Sequence, residues 1–221
     1  MALIYKIDGV EIGGMGIHVI KSSGLLGRPA MKTRRSVYYA DEHGEYIDTK
    51  GARYEHREIT LECMIVGSAM EMYEGYNSLV GMLMVDGTHR LEVSTSAGSK
   101  PLVFEVLSVG DFSVTPDWGV VKSTFSFTLE FVEAKPVKRV FKLIQSEGQS
   151  DMSVTMKINT DGVVDVHWGD NKHDLNFVGE GSIEHNYGEL SEAVVVLSGE
   201  IEKIEYVMFD DVNSEQIWEV L

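Results

Sequence analysis

Five side chains that could bind a metal or transfer a proton lie within a stretch of ten residues. They are Asp165, His167, Asp170, His173 and Asp174. Asp165 and His167 fall on the same face of an extended strand, because side chains alternate between its faces, and the others follow in a turn. Such imidazole and carboxylate groups bind metals or transfer protons. The cluster has none of the spacings typical of metal sites, so we predict no metal, no cofactor and no catalytic residue.

Other reactive residues are scattered along the chain. The remaining histidines stand singly, and the sequence has neither a Gly-x-Ser-x-Gly elbow nor a His-Glu-x-x-His helix. Cys63 lies on the apolar face of an alternating run, which predicts a buried thiol. Trp118, Trp168 and Trp218 could stack on sugars, although packing inside β-domains is the commoner role. We therefore expect no enzymatic activity and keep glycan binding as an alternative.

The charge balance restricts the partners. The chain has 19 basic and 35 acidic residues, a net charge of −16, which disfavours a nucleic-acid-binding surface. An acidic conduit could still let DNA pass without holding it. Residues 1–135 carry −5 and residues 136–221 carry −11. We predict two domains with these bounds.

One segment reverses the sign of the charge. Five basic residues and no acidic one lie between Lys21 and Tyr39, in a stretch rich in turn-forming residues. We predict an arm in which Arg28, Lys32, Arg34 and Arg35 contact a neighbouring copy. A solvated basic loop without a partner is the alternative.

Apolar periodicity predicts a mainly β protein. Several alternating strands come first, then one amphipathic helix over residues 68–86, then more strands. Ser68 and Glu71 form a capping-box pattern at the start of this helix. The order favours a split β-barrel or sandwich with one helix, followed by a smaller immunoglobulin-like β-sandwich.

The first part resembles the N-terminal domain of phage distal tail proteins, of the siphophage-type tail-tube and baseplate hub family. The resemblance covers roughly residues 1–134. Its carriers, in chain order, are Tyr5-Lys6-Ile7-Asp8-Gly9-Val10, Leu26-Gly27-Arg28-Pro29, Arg57-Glu58-Ile59-Thr60-Leu61-Glu62, Leu83-Met84-Val85-Asp86-Gly87 and Phe125-Ser126-Phe127-Thr128-Leu129-Glu130-Phe131.

The second part resembles a PKD-like β-sandwich over roughly residues 150–210. The carriers are residues 163–170, which end in the turn Trp168-Gly169-Asp170, and the run His185-Asn186-Tyr187-Gly188. The sequence departs from that motif at Asn171, where a glycine commonly follows the aspartate. This departure puts the turn geometry in question.

The first resemblance implies a virion structural protein of a phage or prophage. Such a protein forms a hexameric ring at the distal end of the tail, joins the tube to the tip or baseplate, and lets DNA pass as cargo. Its partners are then its own copies and other tail proteins, and its place is the virion tail after synthesis in the bacterial host cytoplasm. A membrane location is not expected, because no apolar run reaches about 18 residues. The alternatives are a tail-tube subunit and a glycan- or protein-binding surface module.

Overall fold

The computed structural model describes residues 3–95, 100–118 and 123–220. Within these ranges the chain forms sixteen strands, one α-helix and two short 3-10 helices, so the predicted mainly β class is confirmed. No helix in the described ranges is long and apolar enough to cross a membrane. The elements are β1 (Leu3–Ile7), β2 (Val10–Glu11), a 3-10 helix (Ile12–Met15), β3 (Ile17–Ser23), β4 (Ser36–Val37), β5 (Tyr46–Ile47), β6 (Arg57–Gly67), α1 (Ala69–Leu83), β7 (His89–Thr95), β8 (Leu102–Val109), β9 (Thr115–Asp117), β10 (Ser123–Glu133), β11 (Lys138–Gln145), β12 (Ser153–His167), β13 (His173–Asn186), β14 (Glu192–Gly199), a 3-10 helix (Ile201–Lys203), β15 (Ile204–Asp210) and β16 (Val212–Val220).

The first sheet has eight antiparallel strands. Its order is β2-β1-β7-β8-β10-β6-β3, and β9 also pairs with β10. The sheet curls until its two ends approach, so that the Tyr5 hydroxyl on β1 donates a hydrogen bond to the Ser22 hydroxyl on β3 at 3.2 Å. The concave side holds the core. Cys63 is buried in that core, as predicted, and burial raises the pKa of its thiol to about 12.

Helix α1 begins at a capping box. The Ser68 hydroxyl accepts a hydrogen bond from the Glu71 backbone N–H at 3.4 Å, and the Glu71 carboxylate accepts one from the Ser68 N–H at 2.9 Å. Met72, Leu79 and Leu83 point into the core of the first sheet. The helix ends at Leu83, three residues before the predicted end. No basic side chain lies in the last turn of the helix to stabilise its terminal carbonyl groups. Gly87, whose φ is +116°, then turns the chain away from the helix axis.

The second sheet has six strands in the order β13-β12-β14-β11-β16, with β15 also on β12. Strand β12 is irregular between Thr160 and Val164; its first half pairs with β15 and its second half with β14. One long bent strand therefore belongs to two ladders, and a second apolar core lies against it. The PKD-like assignment of this part stays a prediction.

The two sheets touch each other through a small apolar cluster. Val103 of β8 packs with Val140, Val196 and Ile217 of the second sheet. The predicted boundary between residues 135 and 136 falls in the short connection between β10 and β11. The division of the chain into two domains at this boundary stays a prediction.

The capping box gives the first testable prediction. Replacing Ser68 by alanine removes the acceptor for the Glu71 N–H, and we expect the free energy of unfolding to fall by about 1 kcal/mol in urea denaturation. Ser182→Ala, at an exposed position of β13, is the control and should change it by less than about 0.5 kcal/mol. Equal effects of the two substitutions would contradict a stabilising role for the cap.

Candidate assembly surface

Residues 24–56 form an extended hairpin that we call the arm. It leaves β3 at Gly24, whose φ is +82° and whose missing Cβ would collide with the Glu58 carbonyl oxygen. Strands β4 and β5 pair toward the tip. Backbone hydrogen bonds join the two sides below them: Glu55 N–H to Ala30 O at 2.8 Å, Lys32 N–H to Arg53 O at 2.8 Å, and Asp48 N–H to Arg35 O at 2.9 Å.

The arm has no core of its own. Every residue from 30 to 51 is exposed. This stretch nevertheless carries six large apolar side chains that are 49–68% exposed: Met31, Val37, Tyr38, Tyr39, Tyr46 and Ile47. An isolated two-stranded hairpin is marginally stable, and clustered exposed apolar side chains usually mark an interaction surface. The arm is therefore the strongest candidate for a binding surface.

The four predicted contact residues all belong to this arm. Arg28, Lys32, Arg34 and Arg35 are exposed and lie on its outgoing half. The Arg34 guanidinium donates a hydrogen bond to the Asp48 carbonyl oxygen at 3.1 Å. Within the described ranges, none of the four is ion-paired with a carboxylate. The structure brings them together on one segment, and their contact with a second copy stays a prediction.

The root of the arm is fastened to both sheets. The Arg53 guanidinium on the returning half contacts the Glu202 carboxylate and lies 3.9 Å from that of Glu200, both next to β15. On the other side, the Arg57 guanidinium at the start of β6 donates hydrogen bonds to the carbonyl oxygens of Gly24, at 2.9 Å, and Gly27. The base of the arm is thus held while its tip is free.

Arg57 also belongs to a buried ionic network. Its Nε donates a hydrogen bond to the Glu133 carboxylate at 3.0 Å, and the Lys138 ammonium contacts the same carboxylate. Lys138 also donates to the Val103 carbonyl oxygen at 2.5 Å and lies 4.3 Å from the centre of the Phe104 ring. The network joins the arm root, the end of β10 and the start of β11. Sequence analysis missed it.

A second buried contact crosses between the sheets. The Arg90 guanidinium on β7 pairs with the Glu105 carboxylate on β8 at 2.5 Å. It also donates hydrogen bonds to the carbonyl oxygen of Val194 and, at 3.1 Å, to that of His167. A charged residue of the first sheet therefore completes the hydrogen bonding of the second.

The cluster at residues 165–174 is occupied by structural contacts. The Asp165 carboxylate accepts hydrogen bonds from the Lys135 ammonium at 2.5 Å and from the Asn176 N–H at 2.9 Å. Burial and the nearby Arg90 lower the pKa of His167 to about 4, so this imidazole is neutral at pH 7. Across the described ranges, no group of three or more His, Cys, Asp or Glu side chains is arranged to hold a metal ion.

The predicted turn Trp168-Gly169-Asp170 is a packed corner. The indole ring of Trp168 is buried and stacks on the His185 ring, with centroids 4.5 Å apart and planes 2° apart. Its Nε1 donates a hydrogen bond to the Asp174 carboxylate at 2.8 Å. Gly169 has φ of +97°, and a Cβ there would strike the Arg90 side chain.

The turn tolerates its departure from the motif. Asn171 has φ of +62°, in the left-handed region that asparagine adopts more readily than most residues. Asp170 accepts a hydrogen bond from the Lys172 N–H at 3.3 Å and lies 3.1 Å from the His185 ring nitrogen. Asn171 therefore occupies a left-handed position of the turn, a conformation that glycine adopts at no steric cost.

The tryptophans do not form a common surface. Trp168 is buried, while the Trp218 indole donates a hydrogen bond to the Pro101 carbonyl oxygen at 2.6 Å. Trp118 is exposed and packs edge-on against Phe125 at 5.6 Å. Each ring thus has a different environment, which gives no specific support to sugar stacking.

Comparisons with solved structures find phage tail hub and baseplate proteins. The chain is similar to the SPP1 Dit (gp 19.1) protein, described as a paradigm of the hub adsorption apparatus in phages that infect Gram-positive bacteria. That match has a TM-score of 0.46 and 11% identity and covers 90% of this chain and 98% of that one. It is also similar to a chain of the phage P2 baseplate in its activated conformation with calcium, with a TM-score of 0.48, 10% identity and coverage of 90% and 99%.

No protein-family model matches the chain, and a search of curated proteins finds no match either. The TM-scores of both structural matches lie below 0.5.

The buried network gives the second prediction. Glu133→Gln leaves the guanidinium of Arg57 and the ammonium of Lys138 buried without a counter-charge, and we expect a loss of about 3–5 kcal/mol in the free energy of unfolding. Glu184→Gln, at an exposed position of β13, is the matched control and should cost less than about 0.5 kcal/mol. Urea denaturation measures both, and a loss below about 1 kcal/mol for Glu133→Gln would contradict the network's importance.

The neutral His167 gives a prediction about pH. Its pKa falls from 6.5 to about 4 on folding, so the unfolded chain binds a proton first as the pH drops. The wild-type protein should therefore lose stability as the pH falls from about 6.5 toward 4, by about 2–3 kcal/mol from this group. In His167→Gln this share of the pH dependence should vanish, whereas in His43→Gln, at the exposed arm tip, it should remain. Parallel stability profiles for wild type and His167→Gln would refute the assignment.

Proposed function

We propose that this chain is a structural subunit of a phage or prophage tail that assembles with copies of itself. In the finer form of the proposal, six copies form a ring at the distal end of the tail tube. The ring joins the tube to the tip or baseplate, and DNA passes through its centre. The observation that carries the proposal is the arm.

The arm supports self-assembly because it is a surface without a partner in one copy. Residues 30–51 are all exposed, and the clustered apolar side chains there gain little from contact with water. Its root is held by Arg57 and Arg53. A fixed root with an unpacked tip favours binding to a neighbouring protein.

The remainder of the chain supports the resemblance to distal tail proteins. The five sequence carriers occupy β1, the arm root, β6, the end of α1 and β10, which together form one curled sheet with one helix. The net charge of −16 suits a conduit that must release a polyanion. In this reading the second sheet, PKD-like by its sequence, decorates the ring.

We also propose that the chain has no catalytic role. The carboxylates of Asp165 and Asp174 accept hydrogen bonds from Lys135 and Trp168, and the backbone carbonyl oxygen of His167 accepts one from Arg90 across the two sheets. A His167 with a pKa near 4 is a poor base for chemistry at neutral pH. A protein that only binds and assembles requires no chemistry from these three residues, only their packing and hydrogen bonds.

The test is the mass of the purified chain across a range of concentrations, from light scattering during size exclusion, with negative-stain images. We expect a species of six monomer masses with a central hole. Stacked tubes would favour a tail-tube subunit. A monomer at every concentration would contradict self-assembly, and glycan-array binding by that monomer would favour the surface-module alternative.

Charge reversal of the arm is the fourth prediction. Arg28→Glu, Arg34→Glu and Arg35→Glu together should abolish the ring without unfolding the monomer, because the three side chains are exposed and like charges across an interface cost several kcal/mol. A control that changes the net charge equally carries Lys100→Glu, Lys157→Glu and Lys172→Glu, all exposed and outside the arm, and should leave the ring intact. Rings from the arm variant as stable as wild type would refute an arm contact.

A further inference from the structure

A groove crosses the outer face of the first sheet. It has a volume of about 690 Å³ and lies over β6 and β10. Ile20 of β3, which is 61% exposed, lines one side, and Asp111 and Ser113 of the loop after β8 line the other. Thr128 and Glu62 face each other as cross-strand neighbours in the floor. The groove therefore combines an exposed apolar edge with a polar floor.

The charged side chains of the groove are acidic. Glu62, Asp111 and Glu130 line it and are exposed. The nearest base, Lys21, forms an ion pair with Glu62 at 2.7 Å, and both side chains are largely solvated. Such exposed pairs contribute little and are readily exchanged for another partner. The groove thus offers carboxylates to an incoming cation.

The outgoing half of the arm, residues 24–37, has the complementary character, whereas the returning half carries both acidic and basic residues. The outgoing half carries Arg28, Lys32, Arg34 and Arg35 and no acid, and the exposed apolar Met31 and Val37 lie beside them in the chain. No described residue of the arm lines the groove of its own chain. One molecule therefore carries a basic, partly apolar segment and an acidic groove with an apolar edge. These two surfaces are complementary but do not contact each other within the chain.

We propose that the arm of one copy lies in this groove on the next copy, with its basic residues opposite Glu62, Asp111 and Glu130. The inference rests on the proposed function and adds the receiving surface to it. Arm and groove are different surfaces of one chain, so the contact is heterologous and repeats from copy to copy. A heterologous contact closes into a ring when its rotation allows.

The test uses two reversed chains. The groove variant carries Glu62→Lys, Asp111→Lys and Glu130→Lys, and the arm variant carries Lys32→Glu, Arg34→Glu and Arg35→Glu. Each alone places like charges in every contact, so each should remain monomeric at concentrations at least tenfold above those where wild type forms rings. Circular dichroism and thermal unfolding check that both monomers are folded.

Mixing the two variants in equal amounts is the decisive step. The acidic arm then meets the basic groove, and the basic arm of the groove variant meets the acidic groove of the arm variant. Rings should return with the two chains alternating, which mass spectrometry of the intact assembly reads as a fixed one-to-one composition. Restoration of this kind requires that these two surfaces touch.

The control reverses three exposed acids outside the groove, Glu74, Glu184 and Glu189, and should assemble as wild type does. Rings from the groove variant alone, or no rings from the mixture, would overturn the groove as the arm's receiver while leaving the proposed function standing. A monomeric wild type would instead remove the proposed function itself.

Discussion

The Glu133 carboxylate, buried between the Arg57 guanidinium and the Lys138 ammonium, is the contact on which the rest of the structure depends. Burying these charges costs several kcal/mol each unless all are paired, so they act as a unit. Arg57 holds the arm root through the carbonyl oxygens of Gly24 and Gly27. Lys138 is the first residue of β11 in the second sheet, and it donates a hydrogen bond to the Val103 carbonyl oxygen in the first. One carboxylate therefore fixes the arm to the first sheet and the first sheet to the second.

Patterns within single elements were readable from the sequence. Alternation placed β6 and β10, and with them the buried Cys63, because one face of each strand must pack on the core. The capping box placed the start of α1 at Ser68, since its side chain satisfies a backbone group close by in the chain. The end of the helix was harder, because fraying depends on weak contacts in the last turn.

Contacts between distant elements were not readable. Arg57 and Glu133 are 76 residues apart; Arg57 is the first residue of β6 and Glu133 is the last residue of β10, and both take buried positions of the alternation. The sequence gives the charge of such residues but not which distant carboxylate they meet. Arg90 has the same difficulty, since it completes a turn in the second sheet that looks self-contained in the sequence. The basic run in the arm was visible because its residues are neighbours in the chain.

These contacts between distant elements bear directly on the proposed assembly. In a heterologous contact, the angle at which the arm leaves its own copy sets the rotation between successive copies, and that rotation decides between a closed ring and an open filament. That angle is set at the root by Arg57, Gly24 and Arg53 rather than by the exposed side chains farther out on the arm. A loose root would admit a range of rotations and a mixture of products. In the proposed assembly, the buried ions thus contribute to the geometry, while the exposed side chains of the arm supply affinity and register.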